Sequence, residues 1–465
     1  MRRRRGRTHP TAVTVAALGL VAGLVAVSCG DEGARPTEVV SVFGTLSDAD
    51  VDDVVAGMAA FERDTGIDVR YVGSSSFESD LLERLRRGDP PDLVMLPQPG
   101  LLDTLVEDGF ALPAIDTRAA GEGGVDAALT DLLTVDGMRY GAWYELTVKS
   151  LVWYSPSAFA ELGLEVPDTW DELDRMTREL AVAGRTPWCI GIRADGATGW
   201  VATDWVEDLV LRFAGPDVYD GWVDHEVPFT DPAIVDAIER FGAIALQPDQ
   251  VAGGNRAAVE LTVEDAAREL LDSPRSCLLH RQASFLPRYL DRDVEISPDG
   301  DLWAFPLPAA DGGEAPLVVG GTVVVRFSDD ADVVRLATYL TTTEAASQRA
   351  GIGGFVSSDE RVPLDRYREP LDRWLAQLVR EADVVRFDAS DLMPPEVGVG
   401  TFWSGMTSWL GGARLRSVLA EIDASWPADV TTRPLPPPTT ETTDTTDTTD
   451  TTDTTDTTDQ EGDGG

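Results

Sequence analysis

The chain has 465 residues, a hydrophobic content of 43% and a formal net charge of -43 at pH 7. Its length exceeds what one compact core usually contains, so two domains or lobes are expected. The acidic balance argues against nucleic acid as a partner, because phosphate binding requires basic patches. Part of the acidic excess lies in the C-terminal tail, so the rest of the chain is less extreme.

The first 28 residues have the pattern of a secretory signal. Five arginines among residues 2–7 precede an apolar run, Thr11 to Val27, that is too short to favour a permanent membrane span. Ala26-Val27-Ser28-Cys29 resembles a bacterial lipobox, so we expect removal of residues 1–28 and lipidation of Cys29, followed by a linker over residues 29–37. An ordinary signal peptide with a chance cysteine is the alternative.

Two further cysteines, Cys189 and Cys277, remain in the mature chain. In an exported protein they can form a disulfide, and two buried free thiols are the alternative. The mature chain retains only His225 and His280, too few for a histidine metal cluster. We therefore predict neither a metal nor a cofactor.

The N-terminal part alternates between strand and helix patterns, with buried strands expected at Glu38–Thr45, Ile67–Val72 and Leu93–Leu96. A helix over Phe77–Arg87 lies between the second and third strands. This order implies a parallel sheet with right-handed crossovers. Ligands of such sheets bind beyond the carboxyl ends of the strands, which makes Thr45 and Gln98 candidate ligand-binding residues.

The stretch Thr198–Leu211 places two tryptophans at a predicted helix entry. Asp204 is expected to cap the first turn, and the apolar residues after it recur at helical spacing. An indole at a helix mouth suits a sugar, because the ring stacks on the apolar face of a pyranose. Trp200 and Trp205 are both compatible with a core position instead, and Trp205 lies deeper in the periodic run.

Two other features are distinctive. Lys149 is the only lysine in the chain, and its sequence context leaves open whether it has a specific role. Six consecutive Thr-Thr-Asp triplets, Thr442 to Asp459, have nothing apolar to bury, so residues 431–465 are predicted to form a disordered tail.

Several short motifs occur in a characteristic order: Pro91-Asp92, Lys149 to Tyr154, Val166 to Leu173, Val318 to Gly321 and Thr401 to Trp403. With them, the chain from about Val39 to Trp426 resembles the bacterial extracellular solute-binding protein family 1, the sugar-binding receptors of ATP-driven importers. Trp188 to Gly191 with Thr198 to Trp205 is similar to the α-glucoside-binding branch. Thr322 departs from that branch, where an acidic residue is expected.

The resemblance implies an α/β, two-lobed periplasmic-binding-protein-like fold of type II, in which each lobe has a central sheet flanked by helices and a hinge surrounds the ligand cleft. Lobe 1 would comprise residues 39–145 and 320–358, and lobe 2 residues 146–319 and 359–430. Carried over by position, the ligand-binding candidates are Trp403, Trp200, Gln98, Thr45, Tyr144, Arg281 and Gly354. Each of them is also compatible with a structural role.

The function implied is capture of a sugar, an α-glucoside or another oligosaccharide, and its delivery to an ABC importer permease, without bond chemistry. The protein would be a monomer, lipid-anchored to the cell membrane and facing the extracellular or periplasmic side. One alternative is a secreted glycoside hydrolase, since carboxylates are abundant, although hydrolase and phosphate-loop motifs are missing from the sequence. A carbohydrate sensor or adhesin on the same fold is another.

Overall fold

The computed structural model describes residues 39–427, except for residues 47, 48, 75, 116–126 and 311. The predicted signal sequence, the lipidation site at Cys29, the linker and the tail from residue 431 lie outside the described residues. Within the described ranges, no helix combines the length and the apolar character needed to cross a bilayer.

The strands form one large mixed sheet and two small sheets in the described chain. They are β1 (Val39–Gly44), β2 (Asp68–Gly73), β3 (Leu93–Leu96), β4 (Thr134–Val135), β5 (Met138–Arg139), β6 (Gly141–Val148), β7 (Leu151–Tyr154), β8 (Leu279–Arg281), β9 (Trp303–Pro306), β10 (Leu317–Arg326), β11 (Val356–Ser357) and β12 (Val385–Phe387). The large sheet has the order β11-β6-β10-β3-β1-β2, and β12 also pairs with β10. The small sheets are β4-β5 and β8-β7-β9.

Helices flank these sheets. They are α1 (Ala49–Thr65), α2 (Phe77–Arg86), α3 (Leu102–Glu107), α4 (Ala127–Asp131), α5 (Pro156–Leu162), α6 (Trp170–Val182), α7 (Trp200–Phe213), α8 (Pro216–Val223), α9 (Pro232–Ala245), α10 (Asn255–Glu260), α11 (Val263–Glu269), α12 (Ala331–Leu340), α13 (Thr343–Ala350), α14 (Pro370–Glu381), α15 (Ala389–Leu392), α16 (Trp403–Leu410) and α17 (Leu415–Ala424). A π-helix, Glu396–Phe402, runs directly into α16.

The first three strands pair as the sequence predicts. β1 is parallel to β2 along its whole length and parallel to β3 at Val42 and Phe43. All four residues of β3 are buried, which matches the continuous apolar run typical of a strand covered on both faces. The parallel arrangement is therefore confirmed, and it brings the carboxyl ends of β1, β2 and β3 to one edge of the sheet.

β10 is the strand that makes the sheet mixed. It runs antiparallel to both β3 and β6, and it also pairs with β12 through Leu317–Val319. β12 and the residues of β10 that pair with it, Leu317–Val319, both belong to segments predicted for lobe 2, while the rest of β10 belongs to a segment predicted for lobe 1. The lobe boundaries inferred from the sequence stay a prediction.

A second hydrophobic core surrounds α7. Trp205 is fully buried, stacks on Phe241 with 5.3 Å between ring centroids and meets Trp188 edge-on at 5.1 Å. Trp205 is thus a core residue, as its position deep in the periodic run allowed. Cys189 and Cys277 form a disulfide beside this region, with their Cα atoms 5.4 Å apart.

The expectation that Asp204 caps the first turn of α7 is wrong. The helix begins at Trp200, so Asp204 lies in its second turn, and the residue before the helix is Gly199. The Asp204 carboxylate is buried and hydrogen-bonds to two basic side chains rather than to backbone N–H groups. Local helix-start patterns cannot anticipate partners that are far away in sequence.

A buried carboxyl supports the loop before β11. Asp372, on α14, accepts a hydrogen bond from the backbone N–H of Phe355 at 3.3 Å. Burial raises the pKa of Asp372 to about 7, and repulsion by Glu369 adds to this, while backbone hydrogen bonds and Arg349 oppose it. The folded protein therefore binds this proton more tightly than the unfolded chain does.

We expect this proton to make stability pH-dependent. The contribution of Asp372 to stability should fall as the pH rises from its unfolded pKa of 3.8 towards 7, by up to roughly 4 kcal/mol, and then level off. Asp372→Asn keeps an accepting oxygen but does not titrate, so its advantage over the wild type should grow between pH 5 and pH 8 in urea unfolding. Glu381→Gln, an exposed change on the same helix, is the control. A difference independent of pH would contradict the assignment.

Candidate ligand-binding site

A cavity of about 950 Å³ lies beyond the carboxyl ends of β1, β2 and β3. Its volume is in the range of sites that hold small molecules. One wall comes from the loops after these strands and from α2, the floor from β6 and β10, and the opposite wall from residues before α7, near α11, after β8 and in the C-terminal segment. Open α/β sheets bind ligands at this edge.

The first wall is polar. Its polar side chains come from the loops after the strands and from the start of α2, and they carry hydroxyl, amide and carboxylate groups: Thr45, Ser74, Ser76, Glu78, Ser79 and Gln98. Phe77 also lines this wall. Phe77 stacks on Phe43 with 5.3 Å between ring centroids, so the apolar part of α2 is anchored in the sheet. Burial and the nearby Glu396 raise the pKa of Glu78. This wall offers both donors and acceptors.

The opposite wall is aromatic. Trp200 and Trp403 are both half-buried and line the cavity, and Phe285 lies 5.8 Å from Trp200 between ring centroids. Gly199 has a φ of +116°, and a Cβ there would meet the Trp403 carbonyl oxygen at 2.3 Å. Only glycine permits this conformation and this close approach. The N-terminal end of α7 therefore packs directly against the N-terminal end of α16.

Trp403 follows the π-helix Glu396–Phe402 without a break. Such i→i+5 segments are rare and are frequent at functional sites, because they displace a side chain from its regular helical position. Val399 of the π-helix and Trp403 both line the cavity. The irregular backbone therefore lies where the aromatic wall is built.

Lys149 lies at the floor, between β6 and β7. Its Nζ donates to Asp204 Oδ1 at 3.1 Å and also to Asp388, and it lies 5.9 Å from the ring centroid of Trp200. Burial disfavours its charged form, but the carboxylates of Asp204 and Asp388 outweigh this and raise the pKa of Lys149. The only lysine of the chain is thus a permanently charged group under the aromatic wall.

α7 carries four buried charged residues on adjoining turns: Asp204, Glu207, Asp208 and Arg212. Asp208 accepts hydrogen bonds from Arg212 Nη1 at 2.6 Å and Arg281 Nε at 2.9 Å, and from Ser150. Arg281 Nη1 also donates to Asp204 at 3.0 Å. These bonds tie α7 to the start of β7 and to β8.

The same helix holds the C-terminal segment. Glu207 accepts hydrogen bonds from the backbone N–H groups of Ala389 and Ser390 at 3.1 and 3.3 Å. Burial, followed by repulsion from Asp388 and Asp204, raises the pKa of Glu207 well above its ordinary value. The ammonium of Lys149 opposes this repulsion.

Among the described residues, Asp204, Glu207 and Asp388 have ligand atoms close enough together to hold a metal ion. Lys149, however, donates to two of the three carboxylates. A metal cation in this cluster would meet the ammonium charge at short range, which is strongly repulsive in a buried environment. The arrangement suits an internal lysine better than a metal.

The structure brings four of the seven sequence-predicted ligand residues together. Trp403 and Trp200 line one wall, and Gln98 and Thr45 line the other. The remaining three candidates do not line the cavity: Tyr144 packs on Phe355, Arg281 is bound to Asp204 and Asp208, and Gly354 contributes its carbonyl oxygen to a hydrogen bond from Arg288.

Sequence reasoning missed other lining residues, among them Phe285, Arg288, Asp391 and the serines of the first wall. The sequence did contain one signal of a polar site, because charged residues recur at positions of α7 that its apolar pattern marks as buried. Asp391 gave no such signal, since it lies on the four-residue helix α15, which is too short to show an apolar pattern.

The family model for bacterial extracellular solute-binding proteins matches residues 48–347. The chain belongs to this family. The osmoprotective compounds-binding protein GgtB of Synechocystis sp. is 38% identical over 414 residues, covering 88% of this chain and 98% of that protein. The alpha-glucosides-binding periplasmic protein AglE of Rhizobium meliloti is 35% identical over 399 residues, covering 84% and 87%.

Solved structures of solute receptors share the fold. The bacterial receptor AcbH, described as exclusively preferring β-D-galactopyranose, superposes with a TM-score of 0.70 at 18% identity, covering 84% of this chain and 97% of that one. RafE in complex with raffinose gives a TM-score of 0.65 at 16% identity, covering 84% and 99%. The predicted family and the predicted α/β receptor fold are confirmed.

Arg281 provides a test of the network beneath the site. Arg281→Met leaves Asp204 and Asp208 with fewer partners in a buried environment, so we expect a loss of about 3–5 kcal/mol in the free energy of unfolding. Arg268→Met breaks an exposed pair with Asp265 and should cost less than about 1 kcal/mol. Urea unfolding of both variants measures the difference. Equal losses would show that the buried pairs are not structural.

Proposed function

We propose that this family member captures an uncharged sugar, an α-glucoside or a related osmoprotective glycoside, and delivers it unaltered to an ABC importer permease. The observation that carries the proposal is the pairing of two half-buried indoles with a wall of hydroxyl and amide groups across one cavity. A sugar can use both walls, since its apolar ring face stacks on an indole while the hydroxyls at its edge hydrogen-bond to polar groups.

The charges around the cavity favour an uncharged ligand. Four acidic and three basic side chains line it, and several of them are already paired. Lys149 is engaged with Asp204 and Asp388, and Arg288 donates to Glu145 at 3.2 Å. A charged ligand would have to compete with these ion pairs, whereas a sugar hydroxyl hydrogen-bonds to them without displacing charge.

An aromatic cavity can also bind a quaternary ammonium group, and some osmoprotective compounds carry one. Lys149 argues against this ligand class, because its ammonium already lies 5.9 Å from the Trp200 ring centroid. The cation–π position of this indole is thus already taken by Lys149. Glycine betaine is therefore the comparison compound that should not bind.

The names of the relatives support a carbohydrate or osmoprotective ligand, since one is described as binding osmoprotective compounds and another as binding α-glucosides.

We further propose that Cys29 carries a lipid that holds the protein at the outer face of the cell membrane, and that the protein acts as a monomer with the permease as its partner. The lipobox-like Ala26-Val27-Ser28-Cys29 supports the anchor.

The proposed function predicts a specific loss on removing one indole. A thermal-shift screen with trehalose, maltose, sucrose and raffinose identifies a bound sugar, and calorimetry then measures its affinity. Trp403→Ala should weaken binding at least tenfold, about 1.4 kcal/mol, because it removes both stacking and buried apolar area.

Trp374→Ala is the matched control, since Trp374 packs against Trp303 and does not line the cavity. It should leave the affinity unchanged. Circular dichroism confirms that both variants fold. Unchanged affinity in folded Trp403→Ala would refute the assignment, and free glucose appearing on incubation with maltose or trehalose would indicate a hydrolase instead.

A further inference from the structure

One N–H donor of Lys149 is unused among the described residues. An ammonium has three donors, and in Lys149 one donates to Asp204 and another to Asp388. The next oxygen, Asp391 Oδ2, lies 3.9 Å from Nζ, which is too far for a hydrogen bond. Lys149 also lines the cavity, so its remaining donor is accessible to a ligand.

Asp391 presents the complementary group. Its side chain is 14% exposed and lines the same cavity. The carboxyl shares a hydrogen bond with the side chain of Gln98, while its backbone N–H donates to Asp388 Oδ1 at 3.0 Å. A carboxyl group has two oxygens and several acceptor sites, so one hydrogen bond with Gln98 leaves capacity for a ligand.

We propose that Lys149 and Asp391 form a socket for one sugar hydroxyl, which accepts a hydrogen bond from Lys149 Nζ and donates one to the Asp391 carboxyl. The inference rests on the proposed sugar-binding function and adds the residues that set specificity. A hydroxyl is at once a donor and an acceptor. Its oxygen fits between two atoms that are 3.9 Å apart at about 2.8 Å from each.

The socket lies beside the aromatic wall, since Lys149 Nζ is 5.9 Å from the ring centroid of Trp200. A sugar held against that wall can therefore place one of its hydroxyls in the socket.

The socket is held in place before any ligand arrives. Lys149 is fixed by Asp204 of α7 and by Asp388, which accepts a hydrogen bond from Ser390 Oγ at 2.8 Å. The stem of the lysine passes over Gly320 of β10, where a Cβ would lie 3.0 Å from Lys149 Cε. A preorganised donor and acceptor discriminate strongly, because a ligand without the hydroxyl leaves both unpaired.

The test couples a change in the protein to a change in the sugar. Among trehalose, maltose, sucrose and raffinose, the sugar that raises the Tm of the full chain most is compared with its monodeoxy analogues by calorimetry. We expect one analogue to bind the wild type at least tenfold more weakly than the parent sugar. In Asp391→Ala the parent should weaken while that analogue changes little, so the difference between the two should narrow to what the remaining hydrogen bond from Lys149 contributes.

Asp391→Ala is the primary variant because it leaves the pairs of Lys149 with Asp204 and Asp388 in place. Lys149→Met, in which buried carboxylates lose their cation, should show the same coupling if it folds. Asp174→Ala removes an acidic side chain on α6 that does not line the cavity, and it should keep the wild-type discrimination.

The outcomes separate the two proposals. If no sugar raises the Tm, the proposed function fails and the socket fails with it. If a sugar binds but Asp391→Ala weakens the parent and all analogues by one common factor, the residue has only a structural role and the socket alone is overturned. Discrimination that narrows for a single analogue and is kept for the others supports the socket.

Discussion

The buried charges of α7 are the constraint on which the site depends. Asp204, Glu207 and Asp208 would repel one another in an apolar interior, so each needs a cation, a proton or backbone donors. Lys149 and Arg281 supply the cations from neighbouring strands, and the segment after β12 supplies the donors. Because the partners come from separate parts of the chain, satisfying these charges fixes the floor of the cavity relative to the first turn of α7.

This arrangement of paired charges explains how ordinary helices and strands can build the proposed sugar site. Parallel strands deliver hydroxyl and amide groups to one edge of the sheet, as the first half of the chain requires. α7 and α16 carry the indoles on the opposite side, and Gly199 allows the first turns of these two helices to come into contact. The floor contributes a charged donor whose charge is already balanced, so the site can hydrogen-bond to hydroxyls without selecting for a charged ligand.

Local pattern accounts for much of the fold and for part of the site. Apolar runs and strand-helix order gave β1 to β3, and the strand ends then placed Thr45 and Gln98 in the cavity. The predictions that failed concern residues whose partners are distant in the sequence. Asp204 was predicted to cap α7 from its local position, but its partners, Lys149 and Arg281, are more than 50 residues away. The antiparallel role of β10 and the lining position of Asp391 likewise follow from long-range pairing, which periodicity does not encode.

A crystal structure of the protein with its bound sugar tests the central claim most directly. The account predicts a pyranose whose apolar face lies on Trp200 or Trp403, whose hydroxyls reach the strand-end loops around Gln98, and whose glycosidic bonds are intact. A sugar bound outside this cavity, or a cavity in which the indoles pack only against protein while the ligand is held elsewhere, would contradict it.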